Sequence, residues 1–361
     1  MRNAVWLAWL LVGMYVPAEE LVLVAGGGKG GDGSTAREAA LIEPFGIEFH
    51  GGAAYFVEMA PSHRLRMLTA DGKIFTLAGR LNQPGFAGDA GPAREALLNG
   101  PHNLAILPDG RIFIADTFNH AVRVYDPKTE RLDTLAGNGK LGFAGDGGPA
   151  RQAQFNQAYC VALEPANKML IVTDLGNRRI RGIDLATGTI RTLAGNGERG
   201  VPRDGARATE QPLIDPRAAV MDKEGRLWIL ERAGHALRVV FPDGTIRTVA
   251  GNGQRGNALG AARQAVFNGP KHLCLDRDGT VLIADTENHR IVRFDPKTET
   301  ITLVAGTGKA GATGLGGDPT RAQLNRPHGV TVHPETGEIY IADSSNHRIV
   351  KIVRTASKPC R

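Results

Sequence analysis

The chain has 361 residues, with 43 Lys and Arg against 37 Asp and Glu, so its formal net charge is +6. Because the basic residues are interspersed with acids along the turns, this charge pattern does not support nucleic-acid binding. Only three residues are cysteines, which excludes a small domain held together mainly by disulfides.

The first 18 residues differ from the rest of the chain. Arg2 supplies a positive start, residues 4–16 are mainly apolar, and Val16-Pro17-Ala18 is a small-residue cleavage pattern. The apolar stretch is too short to span a bilayer comfortably. A buried first strand is the alternative, but the order of charge, apolar run and cleavage pattern favours an export signal. We therefore expect residues 1–18 to be a signal peptide and the mature protein to be secreted or periplasmic, without insertion into a membrane.

The remainder of the chain is a sixfold internal repeat. The repeats start near residues 41, 98, 155, 213, 267 and 324, and successive copies are separated by 57, 57, 58, 54 and 57 residues. Their aligned opening residues are Pro44, Pro101, Ala158, Pro216, Pro270 and Pro327. A fixed period of this kind indicates one repeat domain over residues 19–361, with no room for a second domain.

Each repeat predicts four short strands. In the second copy, apolar or alternating segments at 103–107, 111–115, 122–125 and 132–137 are separated by turns rich in Gly, Pro, Asp and Asn. Six units of four antiparallel strands predict an all-β, six-bladed β-propeller. A β-helix is the alternative, but its rungs are much shorter than these units.

The two chain ends predict how the ring closes. The sixth repeat stops after its third strand, and the missing fourth strand reappears at residues 21–26, whose Leu-Val-Leu-Val-Ala-Gly resembles Leu303-Val304-Ala305-Gly306. We expect residues 21–26 to complete the last blade, because this pairing removes the exposed edge that an open array would leave.

The repeat resembles the NHL repeat over essentially all of the predicted mature chain. The resemblance rests on the Pro-x-Gly-Val opening, the Ile-Ala-Asp-x-x-Asn-His-Arg-Ile core and the closing Ala-Gly, which are clear in repeats 2, 3, 5 and 6 and degenerate in repeats 1 and 4. Membership of this family implies a propeller. It does not specify an activity, because NHL propellers serve as protein-binding, RNA-binding and lyase domains.

A Gly-rich linker follows each closing Ala-Gly. The linkers lack the Lys-Ser/Thr of a phosphate-binding loop and the carboxylate spacing of an EF-hand, so we interpret them as structural connectors. Pro92, Pro149 and Pro319 precede Ala/Arg-rich stretches that suit a single helical turn. The linkers surround the face where the first strand of each blade begins, and loops on a rigid scaffold are where function usually resides.

Several polar residues recur at the end of the second predicted strand. An acid, an amide three residues later and a histidine directly after it recur in most copies: Asp116, Asp174, Asp285 and Asp343, with Glu58 and Glu231 in repeats 1 and 4; Asn119, Asn177, Asn288 and Asn346; and His63, His120, His235, His289 and His347. We expect the acids and amides to bond the backbone of their own loop. The histidines lie too far apart to share a metal ion.

The start of each innermost strand offers the best candidate site. The residues just after the opening positions are Phe45, His102, Tyr159, Arg217, Lys271 and His328, and those one further are Gly46, Asn103, Cys160, Ala218, His272 and Gly329. We predict that His102, Asn103, Tyr159, Arg217, Lys271 and His328 bind a ligand. Such an electropositive mouth favours a carboxylate, phosphate or sulfate group. The alternative is a channel lined with these residues and filled with water.

His102 and His328 also suggest an alternative with a metal. Pro101-His102-Asn103-Leu104 and Pro327-His328-Gly329-Val330 resemble segments through which peptidyl-hydroxyglycine amidating lyases hold zinc at the propeller axis. That resemblance implies a third ligand from blade 4, which offers Arg217 instead. His272 is displaced by one residue, so strand alternation predicts that it turns away from the ligand position. No cofactor is therefore expected, with a divalent metal such as zinc or calcium as the alternative.

The cysteines are not informative about catalysis. Cys160 and Cys274 lie two blades apart and are poorly placed to form a disulfide, Cys360 lies in the tail, and the sequence does not determine the redox state of the three.

The preferred function is an exported module that binds an anionic small molecule, a glycan or a protein through the linker face. The alternative is a metal-dependent lyase or lactonase-like hydrolase at the channel mouth, and the sequence leaves open whether the protein is an enzyme.

Overall fold

A computed structural model describes residues 19–354 of the protein, so the predicted signal peptide and the tail with Cys360 lie outside the described residues. The described chain forms six antiparallel sheets, which are the six blades of the predicted β-propeller. The first strands of neighbouring blades contact one another around the complete ring and surround its axis. Within residues 19–354, no helix has the length and apolar character needed to cross a membrane.

Each blade contains four main strands, which we number from the axis outward. The first strands are Pro44–His50, Pro101–Ile106, Ala158–Leu163, Pro216–Met221, His272–Leu275 and Gly329–Val332. The second strands are Ala53–Glu58, Ile112–Asp116, Met169–Asp174, Leu227–Glu231, Val281–Asp285 and Ile339–Asp343. The third strands are Arg64–Leu68, Ala121–Asp126, Arg179–Asp184, Ala236–Val240, Arg290–Asp295 and Arg348–Arg354. The fourth strands are Ile74–Ala78, Arg131–Ala136, Ile190–Ala194, Ile246–Ala250, Thr300–Ala305 and, for blade 6, Glu19–Gly26.

Short elements supplement this pattern. Blades 2 and 5 each gain a two-residue fifth strand from a linker, Gly91–Pro92 and Gly260–Ala261, which sequence analysis does not predict. Four linkers contain a single 3-10 turn, and three more such turns connect second and third strands. The linker turns are Ala93–Glu95, Ala150–Gln152, Ala208–Glu210 and Pro319–Arg321. The others are Thr117–Asn119, Thr286–Asn288 and Ser344–Asn346. The predicted helical turns are therefore present as 3-10 turns.

The N-terminal strand closes the ring as predicted. Glu19–Gly26 pairs antiparallel with the third strand of blade 6, placing Leu21 opposite Ile352 and Ala25 opposite Ile349. The outermost strand of the last blade thus comes from the opposite end of the described chain. This arrangement ties both ends into one sheet, so that opening the ring requires breaking a complete strand pairing.

The hydrophobic core is divided into six clusters, one at each interface between neighbouring blades. The cluster between blades 1 and 2 includes Phe45 and Leu65 from one blade and Ile114 from the next. The linker joining these blades contributes Ala93 and Leu98 to the same cluster. The linkers are therefore structural connectors, because their Ala and Leu side chains are part of the core that holds the blades together.

A β-bulge at the start of the first strands determines which residues reach the axis. In blade 3, Ala158 pairs with Asp174 and Cys160 with Thr173, which leaves Tyr159 as the extra residue. Blade 4 repeats this irregularity at Arg217. Because a bulge interrupts strict alternation, two successive residues of one strand can both be directed toward the axis.

Replacement of Leu21 by Ala tests the contribution of ring closure. Leu21 is completely buried against blades 5 and 6, so we expect Leu21→Ala to lower the free energy of unfolding by about 2–5 kcal/mol. Val22→Ala changes a half-buried neighbour in the same strand and is expected to lower it less. Urea unfolding of both variants measures the difference, and equal losses would contradict a closing role for Leu21.

Candidate functional site

Six side chains, one from each blade, surround the axis. We call this set the axial ring, and its members are Phe45, His102, Tyr159, Arg217, Lys271 and His328. The centroid of the Phe45 ring lies 5.1 Å from that of His102 and 4.2 Å from that of His328. The His102 and Tyr159 centroids are 4.3 Å apart. The structure thus brings together five of the six residues predicted to bind a ligand.

Arg217 has the most unusual environment in the axial ring. Its side chain lies over Tyr159, with Cζ 3.6 Å from the ring centroid, and the residue is only 6% exposed. Nε and Nη1 are buried without a hydrogen-bond partner. The nearby carboxylate of Asp215 is already engaged by Arg232 at 2.6 Å. Burial lowers the pKa of Arg217 to about 10, so the guanidinium remains charged at neutral pH.

Lys271, in contrast, is already paired. Its ammonium donates to Oε1 of Glu287 at 2.7 Å and to Nε2 of His328 at 3.1 Å. Glu287 also accepts from Arg326 at 2.9 Å. Burial lowers the pKa of Lys271 to about 8 and outweighs the opposing effect of Glu287. Sequence analysis missed this acid because Glu287 lies on the loop after the second strand, outside the aligned axial positions.

His102 and His328 present similar imidazoles to the axis. Nδ1 of His102 donates to the carbonyl oxygen of Gly100 at 2.8 Å, and Nδ1 of His328 donates to that of Arg326 at 2.7 Å. These bonds leave Nε2 as the acceptor in each ring. Burial, followed by the nearby cations, lowers the pKa of both imidazoles well below 6.5. Both rings are therefore neutral, and the positive charge of the axial ring comes from Arg217 and Lys271.

Asn103 lies one layer deeper than the axial ring and closes the channel. Its amide nitrogen lies 3.1 Å from Nε2 of His272, which comes from the opposite blade. Its Oδ1 accepts from the backbone N–H of Val161 at 3.0 Å. A Cβ at Gly46 would lie 2.8 Å from the Asn103 amide nitrogen, so this glycine leaves room for the amide. Asn103 is therefore separated from the five other predicted ligand-binding residues.

His272 does not lie at the ligand position that the metal alternative requires. Its imidazole contacts Asn103 across the channel, and its Nδ1 accepts from the backbone N–H of Val330 at 3.3 Å. His272 still lies in the Asn103 layer and not in the axial ring.

The residues near His102 and His328 do not form the predicted alternative metal site. Blade 4 contributes Arg217, a cation that cannot act as the third ligand. Across residues 19–354, no group of three or more His, Cys, Asp or Glu side chains is placed to hold a metal ion. The donor set at the axis therefore does not fit a zinc centre with three protein ligands.

The repeated acids and amides fasten linkers to blades. Asp116 accepts from the backbone N–H of Asn99 at 2.7 Å and from Asn119 at 2.8 Å, while Asn119 also donates to the carbonyl oxygen of Gly85 at 2.7 Å. The prediction that these groups bond the backbone of their own loop is thus incomplete. Their main partners belong to the linker. These partners lie 17 or 34 residues away along the chain, so the local sequence pattern did not reveal them.

Buried arginines neutralise these acids, and sequence analysis did not identify them. In blade 2, the Arg123 guanidinium lies 3.3 Å from Asp116 and 2.7 Å from Asp89 of the linker. Blade 5 instead uses Arg290, two positions earlier in the aligned third strand, at 2.8 Å from Asp285. Burial raises the pKa of Asp116 to about 6 despite the attraction of Arg123. The sequence did contain a signal for these ion pairs: an arginine recurs at either the first or the third position of the aligned third strand.

The repeated histidines connect neighbouring blades. In five repeats, Nδ1 accepts a backbone N–H from the end of the following linker, at distances between 3.0 and 3.2 Å. The pairs are His63 with Gly100, His120 with Gln157, His235 with Gly269, His289 with Arg326, and His347 with Glu43. Each histidine adopts a left-handed backbone conformation that turns its ring toward the next blade. These histidines are therefore structural, which explains their recurrence without a metal.

The linker face carries unpaired cations and exposed apolar side chains. The linkers span 27–43, 79–100, 137–157, 195–215, 251–271 and 306–328. Each contains an exposed basic residue that forms no ion pair within residues 19–354: Lys29, Arg80, Lys140, Arg199, Arg255 and Lys309. The exposed large apolar residues of the described chain also all lie in linkers: Leu81, Phe86, Leu141, Phe143, Val201, Leu259 and Leu315. Sequence analysis missed this pattern, although the cations recur shortly after the Ala-Gly that precedes each linker.

The two cysteines in the described range are free thiols, as their predicted separation requires. Burial raises the pKa of Cys160 to about 12 and that of Cys274 well above 9. Neither is therefore a thiolate at neutral pH, and neither has the environment of a nucleophile.

Comparisons with known proteins agree on the repeat and the fold. Residues 98–125, 267–294 and 324–352 match the family model of the NHL repeat. The chain is 29% identical over 284 residues to the chloroplastic protein Suppressor of quenching 1 of Arabidopsis thaliana, covering 75% of this chain and 26% of that protein. It is 26% identical over 318 residues to NHL repeat-containing protein 2 of Gallus gallus, covering 80% and 43% respectively. The chain thus spans less than half the length of these relatives.

Among solved structures, an auxiliary nutrient binding protein from Bacteroides ovatus ATCC 8483 has a TM-score of 0.70 at 15% sequence identity. The alignment covers 94% of this chain and 78% of that protein. At this level of identity the similarity establishes the shared fold alone.

His120 allows a test of the contacts between blades. Removal of its imidazole in His120→Gly leaves the Gln157 N–H without an acceptor, so we expect a loss of about 1 kcal/mol in the free energy of unfolding. Glu130 has the same backbone φ of 52° but is exposed, so Glu130→Gly controls for relief of the left-handed conformation. Urea unfolding of both variants is the measurement. A His120→Gly variant as stable as Glu130→Gly would show that the imidazole does not hold the blades together.

Proposed function

We propose that this six-bladed β-propeller, which contains NHL repeats, is an exported binding module that takes an anionic ligand at the linker face. The axial ring is the proposed centre of that site, and an anionic small molecule, glycan or protein is the proposed partner. Export remains part of the proposal, supported by the pattern of residues 1–18.

The unpaired guanidinium of Arg217 is the observation that carries this proposal. A buried charge without a partner is unfavourable, because the protein has removed water without supplying a counter-charge. Nε and Nη1 are buried without a hydrogen-bond partner, so a bound anion would supply the acceptor that the protein does not provide. The planar guanidinium suits the paired oxygens of a carboxylate, phosphate or sulfate. Lys271 lies on the same ring and adds a second positive charge.

The surrounding linkers support a ligand or partner that extends beyond the ring. We propose that their six unpaired cations, which recur around this face, attract an anionic partner before it contacts Arg217. The exposed apolar residues of the same linkers provide contact area of the kind found at binding surfaces. The name of the Bacteroides ovatus relative in fold, an auxiliary nutrient binding protein, is consistent with a propeller used for binding.

An enzyme at the axis is the second candidate. His102 supports it because Nε2 of this neutral imidazole has no hydrogen-bond partner among the described residues and lies beside Arg217, so it is available as a base. The metal-dependent form of this hypothesis lacks a third ligand, as described above. We therefore favour binding without a resident metal.

Substitution of Arg217 tests the proposed anion site. We expect sulfate to raise the melting temperature of the wild-type protein, and this increase to disappear in Arg217→Met. The same variant is expected to melt at a higher temperature than wild type without sulfate, because an apolar side chain replaces an unpaired buried charge. Differential scanning calorimetry with and without sulfate measures both effects.

Arg191→Gln is the matched control, because this exposed arginine lies on the outer strand of blade 3, away from the axis. It should retain the full response to sulfate. Sulfate stabilisation that survives in Arg217→Met would overturn the assignment of this arginine. A stoichiometric metal in dialysed protein, lost in His102→Ala/His328→Ala, would instead favour the enzyme.

The affinity for sulfate is also expected to depend on pH through Lys271. Because burial lowers its pKa to about 8, Lys271 is charged at pH 7 and loses its proton as the pH rises through 8. Sulfate stays fully ionised over this range, so its affinity should fall between pH 7 and 9. Isothermal titration calorimetry of wild type and Lys271→Gln checks this, since the variant should bind more weakly and without the decrease. An equal decrease in the variant would assign the pH dependence to another group.

A further inference from the structure

A second cavity opens on the side of the Asn103–His272 contact that faces away from the axial ring. Its volume is about 280 Å³, and its lining contains none of the axial-ring residues. Asn103, Cys160 and His272 form its inner end. Because Asn103 and His272 meet across the channel, we regard this cavity as a chamber separate from the anion site.

Glu48 places a single carboxyl group in the wall of this chamber. The residues at the equivalent depth on the other first strands are small or uncharged: Ala105, Ala162, Val220, Cys274 and Thr331. Within residues 19–354, the Glu48 side chain forms no hydrogen bond and no ion pair with another protein group. Burial alone raises its pKa to about 8. Glu48 is half-buried, and a carboxyl group in such surroundings favours either its protonated form or a bound cation.

The outer part of the chamber is mainly apolar, although Asn167 is also part of its lining. Ile106, Leu163, Met221 and Leu275 line it beyond the layer that contains Glu48. A ligand that fills this space therefore needs a cationic group for the carboxylate and a hydrocarbon part for the outer walls.

From this combination we propose that the chamber binds a primary alkylammonium ion, with the ammonium group on Glu48 and the alkyl chain toward Ile106 and Leu275. The carboxylate accepts an N–H from the ammonium, which supplies the missing counter-charge. The apolar walls bury the hydrocarbon chain. This site does not rest on the proposed anion site, because the two share no residue.

The ionisable groups around Glu48 determine which group changes its protonation when a cation binds. Cys160 and Cys274 are uncharged at neutral pH because burial raises their pKa values, and burial lowers the pKa of His272 to about 4. Asp276, near the Cys274 thiol, is paired with Arg293 at 3.0 Å. Glu48 is thus the group expected to change protonation, and an ammonium ion that binds there displaces its proton at pH 7.

Titration calorimetry with n-butylammonium chloride tests the proposal. At pH 7 we expect saturable binding whose apparent enthalpy changes with the ionisation enthalpy of the buffer, as release of a proton requires. Glu48→Gln should lower the affinity at least about tenfold and abolish this dependence, because it removes a hydrogen bond to a charged group. n-Butanol, which has a similar hydrocarbon chain without the charge, should bind more weakly than n-butylammonium.

Glu335→Gln is the matched control, since Glu335 is exposed on the loop after the first strand of blade 6. It should bind n-butylammonium as wild type does. Ala162→Leu keeps Glu48 but fills the chamber, and should also lose binding. Absence of binding to wild type, equal binding to Glu48→Gln, or equal affinity for n-butanol would each overturn the proposal. A cooperative urea unfolding transition of Glu48→Gln, compared with that of wild type, shows that the variant is folded whether or not the anion site exists.

Discussion

The pairing of Glu19–Gly26 with Arg348–Arg354 is the interaction on which the remaining structure depends. A propeller blade cannot bury both of its faces alone, and each hydrophobic cluster of this protein lies between two blades. The interface between blades 6 and 1 therefore exists only when the ring is closed, and Ala25 contributes to it. Leu21 adds to the interface between blades 5 and 6. Closure also brings the six first strands around a common axis. Both proposed binding sites follow from this geometry.

Most of the polar residues that recur in the repeats are engaged in holding the ring together. Asp116 binds a linker and a buried arginine, and His120 accepts a backbone N–H from the next linker. Such residues recur because every blade must be joined to a linker and to the next blade. Residues without an equivalent in other repeats are then the better candidates for function. Arg217 and Glu48 are of this kind, and both leave a charged or ionisable group without a protein partner.

The axis is divided into two environments of opposite character. On the linker side, Arg217 and Lys271 place two positive charges among aromatic and imidazole rings. On the other side, Glu48 supplies a carboxyl group to a chamber whose outer part is lined mainly by apolar side chains. The contact between Asn103 and His272 separates the two, so Arg217 and Glu48 do not neutralise each other. Each site therefore retains the capacity to attract a ligand of opposite charge.

The amino-acid sequence alone determined the number of blades, their four-strand composition and the closing role of residues 21–26. These features follow from a period of about 57 residues and from local turn and strand patterns, which do not depend on distant contacts. The sequence also identified the six axial-ring residues, because equivalent positions in a closed repeat must converge.

Only the tertiary structure decided how these side chains are paired. It shows that Glu287 engages Lys271, that Arg217 remains unpaired, and that His272 reaches across the channel to Asn103. Glu48 likewise became distinctive only when the structure placed it in the wall of a chamber without a hydrogen-bond or ion-pair partner among the described residues. The physical reason is that hydrogen bonding and desolvation depend on atoms that are distant in sequence and on local bulges that change side-chain direction. A repeat pattern specifies which positions lie close together in the fold. It does not specify which polar groups at those positions form hydrogen bonds or ion pairs with one another.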